Sequence, residues 1–362
     1  MTQTHTAAPA YDGAKAETFA EEIAETVNAG AVAMMLSIGH RTGLFDKMSG
    51  MAPATSHDIA RMTELSERYV REWLATMVTG GIVLYEPATR TYELPAEHAA
   101  CLTRGAPLGN FAVAAQILPM IGSVEPHVLD CFETGGGTRY DDYPCFHQVM
   151  AEDSGQTVVD QLFDTVLPLA PGLQARLEAG IDVLDAGCGR GRALTAMAGR
   201  HPNSRFTGYD LSDEAVASAR AAASEDAISN IRFEARDLTG FDEREAYDLV
   251  TSFDAVHDQK DPEGLIKGLH GALRPDGLYL MQDIAGSETL ENNMEFPMAA
   301  YLYTISLMHC MPVSLGQGGA GLGTMWGWEM AERMLKAAGF AAVERHTLPH
   351  DPMNVWFVSR KS

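Results

Sequence analysis

The sequence predicts an α/β fold, a mostly parallel sheet with helices on both faces, preceded by an α-helical winged-helix domain. Three observations carry this reading. At 362 residues the chain is longer than one typical core organises, which points to two domains. From about residue 173, strand-like apolar runs alternate with helical periodicity, the texture of a doubly wound sheet. Ahead of that lies a helix, helix, hairpin order over about 56–95.

Composition narrows the classes. Hydrophobic content of 46% and charged content of 21% are those of a globular chain, not a disordered one. A formal charge of −23, from 26 Lys+Arg against 49 Asp+Glu, repels phosphate backbones and anionic bilayers, so neither nucleic acid nor membrane is expected as a partner. Cys101, Cys131, Cys145, Cys188 and Cys310 are scattered and form no C-x-x-C, which reads as reduced thiols in a cytoplasmic protein. No signal-peptide pattern opens the chain, and no apolar run approaches the roughly 18–20 residues of a membrane span.

Residues 1–16 are small and polar and are expected to be flexible. A first domain is expected over 17–105. Its helical pattern begins at Phe19, and "AGAVAMMLSIGHRTGLFDKM" buries an apolar face before Gly43 and Leu44. Ser56 and Ser66 are the expected N-caps of two following helices, and Gly80 and Gly81 stop the second. "IVLYEPATRTYEL" reads as two short strands about a proline-containing turn. A DNA reader needs a basic face. Over 55–97 there are four arginines against seven acids, so a protein–protein role is the better account of this winged helix. Residues 106–172 read as a helical connector interrupted by a turn at Gly135–Gly137.

In the second domain, 173–362, "IDVLDAGC", "RFTGYDL", "IRFEARDL", "YDLVTSF" and "GLYLMQDI" read as strands separated by helical runs. An insertion at 290–325 follows, then the helix "WEMAERMLKAAGF" and the strands "AAVERHTL" and "NVWFVSRK". Ligands of such sheets bind beyond the carboxyl ends of the strands. At that edge "VLDAGCGRGRALT" ends a strand, turns on Gly187, Gly189 and Gly191, and opens a helix. Asp185 can hold an ammonium group within this turn. Asp210, 19 residues past Gly191, stands where an acid bonds ribose hydroxyls, and Asp237 can accept from an adenine amino group. These carboxylates suit a cationic nucleoside better than a pyrophosphate.

On the D-x-G-C-G-x-G turn, the acid ending the second strand and the R-D-L ending the third, residues 175–362 resemble the class I S-adenosylmethionine-dependent methyltransferases. The resemblance implies a seven-stranded Rossmann-like sheet whose last strand is antiparallel, with S-adenosyl-L-methionine as cofactor. It places Asp185 and the glycines Gly187, Gly189 and Gly191 at the methionyl part, Asp210 at the ribose, and Asp237 with Leu238 at the adenine. Leu211 and Phe253 join these as expected cofactor contacts. With the winged helix in front, the chain is similar to the two-domain small-molecule O-methyltransferases, which dimerise through the N-terminal module. A homodimer and a small-molecule substrate are therefore expected.

"SFDAVHDQ" follows the fourth strand. Transfer from a sulfonium needs an aligned acceptor and, for a hydroxyl, removal of a proton, work for which histidine is suited. In the O-methyltransferases a His-Asp pair at this place supplies the base, which makes His257, Asp258 and Asp283 the candidate catalytic residues. Gln259 stands where that family has an aromatic and leaves the acceptor type open. Asp258 can orient His257 or bond backbone, Asp283 is the other candidate orienting carboxylate, and Glu329 can approach from the following helix. Asp261, before Pro262 and Glu263, is a helix N-cap.

Within the insertion, "EFPMAAYLYTISLMHCM" reads as one long helix. Its Met294, Met298, Met308 and Met311 are either core or pocket wall. "GQGGAG" at 316–321 follows no strand, and reads as a linker or a mobile lid in place of a nucleotide site. His309 opens an alternative: with His257 it can ligate a divalent or ferric metal that assists C-methylation of a 2-oxo acid. His147, His346 and His350 show no ligand spacing. The remaining alternative is a winged-helix regulator that senses a nucleoside.

Overall fold

A computed structural model describes residues 11–362, and the chain divides after Pro119 into two compact units. The first unit opens with helix α1 (Gly13–Arg41). It starts ahead of the expected Phe19, because the Asp12 carboxylate accepts the Lys15 amide and caps it. Helices α2 (Leu44–Met48), α3 (Ser56–Thr63) and α4 (Glu67–Thr79) enclose a core of Leu44, Phe45, Ile59, Val70, Trp73, Leu74 and Met77. Gly39 lets α1 press against it, since a Cβ there would stand 2.4 Å from the Phe45 ring. The cap of α3 is Thr55, one residue before the expected Ser56. The Ser56 hydroxyl instead donates to Glu67 Oε1 at 2.7 Å and ties α3 to α4. Antiparallel strands β1 (Leu84–Glu86) and β2 (Thr91–Glu93) form the expected wing. The unit runs past the expected boundary at 105 because Ala112 is buried in the same core.

The second unit is built on a seven-stranded sheet. Strands β3 (Asp182–Ala186), β4 (Arg205–Asp210), β5 (Ile231–Ala235), β6 (Tyr247–Phe253) and β7 (Leu273–Ile284) are parallel, followed by β8 (Ala342–Leu348) and β9 (Asp351–Arg360). Their order is β5-β4-β3-β6-β7-β9-β8, with β9 antiparallel to both neighbours. Alternation along each strand splits the core between the faces. Val183, Phe206, Leu249, Leu280 and Trp356 pack on one side, and Leu184, Val250, Tyr279, Met281 and Phe357 on the other. The order reverses between β3 and β6, and the crevice at their carboxyl ends is where such sheets bind ligands.

The insertion after β7 departs from the expected long helix. Met298 sits in the left-handed region (φ 60°), so the helix starts only at Ala299; it runs as an α-helix over Ala299–Ile305 and resumes over Met311–Gly316. A π-turn, Ser306–Cys310, lies between, with the Met311 amide reaching back to the Ser306 carbonyl. Pro312 accounts for the change of helical pitch. It has no N–H for the Met308 carbonyl, which accepts the Tyr143 hydroxyl at 2.6 Å instead. Met294 and Met298 are 77% and 47% exposed, so they belong to neither core nor pocket wall. The glycine-rich loop is pinned: Ser314 Oγ donates to the Gln259 carbonyl at 2.9 Å, and the Ala320 amide to that of Lys260 at 3.1 Å. Among the described residues, no single helix is long and apolar enough to cross a membrane.

Candidate active site

β3 ends at Ala186 and the chain turns through Gly187 (φ 77°) and Gly191 (φ 68°). A Cβ at Gly187 would fall 2.5 Å from that of Ala255, and one at Gly191 2.4 Å from the Phe233 ring. Both conformation and space therefore demand glycine. The Gly189 amide donates to Asp210 Oδ2 at 2.7 Å, while Asp210 Oδ1 accepts from the Ser212 amide at 2.9 Å, so the second strand's acid is clamped to the turn. Asp185 is buried and accepts from Thr251 Oγ1 at 2.7 Å. Burial pushes its carboxyl up to about 7, against the Thr251 bond and aided by the charge of Asp210. Asp237 accepts the Thr239 amide at 2.8 Å, which holds its carboxyl below the usual range.

One cavity collects these groups. Asp185, Gly187, Gly189, Gly191, Asp210, Leu211, Asp237, Leu238 and Phe253, all nine residues expected at a cofactor, line it. So does Asp258, whereas His257, Asp283 and His309 stand behind its wall. Sequence reasoning missed a large part of the lining: Tyr140, Phe146, His147 and Asp153 from the expected connector, Arg236, and Gln282 and Asn354 from β7 and β9. Asn354 had a signal. An antiparallel last strand brings its start, not its end, to the ligand edge.

His257 is 2% exposed, and its Nδ1 lies 2.9 Å from Asp283 Oδ1. That oxygen also accepts Trp326 Nε1 and the Ile284 amide, each at 2.9 Å, while Oδ2 has no partner. Burial of the ring opposes its charge, but the carboxylate of Asp283 outweighs this and holds the His257 proton well above the ordinary histidine range. Asp258, the sequence neighbour, does not orient the histidine. Its Oδ2 accepts from Tyr140 OH at 2.6 Å. Glu329 is also occupied elsewhere, taking the Ser287 hydroxyl at 2.7 Å and the Glu288 amide at 3.1 Å.

The π-turn carries His309 and Cys310 inward. His309 stacks on Phe146 with centroids 4.2 Å apart and meets Tyr143 edge-on at 4.5 Å. Its Nδ1 is 3.5 Å from Cys310 Sγ, and its Nε2 has no partner. Burial and then the charge of His257 push its pKa down to about 3, so it is neutral. Among the described residues, the side chains that gather as potential metal ligands are Asp254, His257 and Asp283, within 4.8 Å of one another, a group without His309.

Residues 30–104 match the Rv2258c-like winged HTH domain, and residues 177–339 match a methyltransferase domain. The chain couples a winged-helix domain to a methyltransferase domain. A stretch of 101 residues is 35% identical to trans-aconitate 2-methyltransferase of Variovorax paradoxus, 28% of this chain and 37% of that protein. A stretch of 107 residues is 27% identical to the ubiquinone biosynthesis O-methyltransferase of Neisseria meningitidis, 29% of this chain and 44% of that one. The chain thus spans less than half the length of these curated relatives. Solved structures match nearly end to end. A putative O-methyltransferase from Nostoc punctiforme superimposes with a TM-score of 0.71 at 21% identity, covering 94% of this chain and 98% of that one. Human N-acetylserotonin methyltransferase in complex with SAM gives 0.65 at 17%, covering 98% and 100%. At these identities the likeness is one of fold.

Proposed function

We propose that the protein transfers a methyl group from S-adenosylmethionine to a small-molecule acceptor, with His257 as general base. The observation that carries this reading is that the nine residues expected at the donor line one cavity at the strand ends. The residues fit the donor's chemistry. No atom lies within 4 Å of where a Gly189 Cβ would be, which leaves room for a ligand against the backbone. The cavity also carries separate carboxylates for an ammonium group (Asp185), ribose hydroxyls (Asp210) and an adenine amino group (Asp237).

Bound S-adenosylmethionine supplies a methyl already activated on a sulfonium. The chain's own residues orient the acceptor and move its proton. Asp283 keeps the ring charged well above the ordinary histidine range, so His257 takes the acceptor's proton only in its deprotonated form, on the alkaline side and once its hydrogen bond to the Cys310 side chain yields, and Asp283 then stabilises the cation that results. Because His257 is buried, the acceptor reaches it only when the cover pinned by Ser314 and Ala320 yields. Calorimetry with S-adenosylhomocysteine tests the donor site. Gly189→Ala and Asp210→Ala are each expected to weaken binding at least tenfold, and unchanged affinity in both would refute the assignment.

A second reading rests on Asp254, His257 and Asp283. Asp254 Oδ1 and Asp283 Oδ2 have no hydrogen-bond partner and can face a cation, the arrangement needed to chelate a 2-oxo acid for C-methylation. The three N–H groups already converging on Asp283 Oδ1 favour the base reading over this one.

The homodimer we assign to α1. Phe19, Ile23, Val27, Met34 and Ile38 are 42–68% exposed and recur at helical spacing along one stripe of this 29-residue helix. A second copy laying the same stripe against it satisfies the apolar surface.

A further inference from the structure

The cavity has a second end, bounded by residues that the donor reading leaves unused. Asn354, at the start of β9, is 7% exposed. Its Nδ2 donates to Asp351 Oδ1 at 2.8 Å, which fixes the amide and leaves Oδ1 buried without a partner. Asp254, just past β6, is held at φ 54° with its amide donating to the Gln282 carbonyl at 3.0 Å. Its Oδ1 is likewise buried without a hydrogen bond, 3.8 Å from His257 Nδ1. Asp153 joins them from the helix Phe146–Ser154.

The donors at this end are spent. Gln282 Nε2 is given to Asp351 Oδ2 at 3.0 Å, Thr157 Oγ1 to the Asp153 carbonyl at 3.3 Å, and His257 Nδ1 to Asp283. What remains unpartnered on the residues that line this end is oxygen, Asp254 Oδ1 and Asn354 Oδ1. Two unpartnered buried acceptors are costly unless a ligand supplies protons.

We propose that Asp153, Asp254 and Asn354 form a subsite for a protonated amine carried by the methyl acceptor. The assignment rests on the donor reading, which puts S-adenosylmethionine against β3 and β4. The subsite lies at the ends of β6, β7 and β9, on the other side of the reversal in strand order. The rings of Tyr140, Phe146 and His147 line the same cavity and offer apolar faces for the body of such a molecule. The amine is an anchor here, and the methylated atom is a separate one near His257. The donor's own α-ammonium is the other source of this chemistry, and the test separates the two.

The protein saturated with S-adenosylhomocysteine is titrated calorimetrically with benzylamine and, in parallel, with benzyl alcohol. Benzylamine is expected to bind at least tenfold tighter. Asp254→Asn and Asn354→Leu, which keep shape, are each expected to weaken benzylamine at least fivefold while S-adenosylhomocysteine affinity stays within threefold. Equal binding of amine and alcohol overturns the subsite. So does a tenfold loss of S-adenosylhomocysteine in Asp254→Asn when benzylamine does not bind the loaded wild type, since the oxygens then belong to the donor. Tight binding of Mn²⁺ alone, lost in Asp254→Asn, also overturns it in favour of a metal. If S-adenosylhomocysteine fails to bind the wild type, the donor reading falls, and the same amine series on the unloaded protein still decides the subsite.

Discussion

Replacing Asp283 by asparagine removes one charge and almost no volume from a side chain that is 1% exposed. The Oδ1 position still accepts the Trp326 and Ile284 N–H groups, so packing survives. What disappears is the charge-assisted bond to His257 at 2.9 Å. Such bonds contribute about 1.5–3 kcal/mol. At about 1.4 kcal/mol per unit, the His257 pKa is expected to fall by about 1–2 units. The folded-state pKa of His257 lies above its unfolded value, so the pair's stabilisation is complete below the unfolded pKa of roughly 6.5 and fades as pH rises through the folded one. The variant is therefore expected to melt lower than the wild type by about 4–8 °C at pH 5.5, with the gap narrowing in alkali. Carbon-13 labelling of histidine, with His257→Gln for assignment, follows the ring directly. A wild-type His257 that titrates at or below the ordinary histidine value, or one that Asp283→Asn leaves unmoved, would refute the ion pair and its tuning of the base.

Three further outcomes are expected. Val27→Glu with Phe19→Glu should convert the protein to a monomer in light scattering, since each buried stripe residue contributes on the order of 1.5–3 kcal/mol; an unchanged mass puts the interface elsewhere. Tyr143→Phe removes the hydroxyl that satisfies the Met308 carbonyl and should destabilise the second unit by about 1–3 kcal/mol in urea unfolding, a change absent if solvent replaces it. Purified protein incubated with EDTA should bind S-adenosylhomocysteine unaltered and contain no stoichiometric metal by mass spectrometry; retained metal would favour the second reading.

The sheet was legible because continuous apolar runs, buried on both faces, and the glycine turn are local signals. Val183 and Leu184 pack on opposite faces, and Gly187 and Gly191 stand at positive φ, which a tight strand-to-helix turn needs, before the distant Ala255 and Phe233 close in on them. Pairings across distant segments were not legible. Asp258 adjoins His257 in sequence, yet neighbouring side chains in a turn diverge, and the partner comes from β7, 26 positions on. Tyr140, Phe146 and Asp153 reach the cavity from the helical connector, where no motif marks a ligand edge. The helix through His309 read as continuous and is so over Ala299–Gly316, but its late start at Ala299 and its π-turn were not legible, and Pro312 was the one signal of the latter.

The π-turn at Ser306–Cys310 is one residue longer than an α-turn, so it sets a rotation. Each residue advances a helix by about 100°. Deleting a single residue there would not merely shorten the cover. It would swing Ser314 away from the Gln259 carbonyl and turn His309 off the face of Phe146 in the same movement. The extra residue acts as the gear that keeps the latch outside the cavity and the aromatic stack beside it in phase.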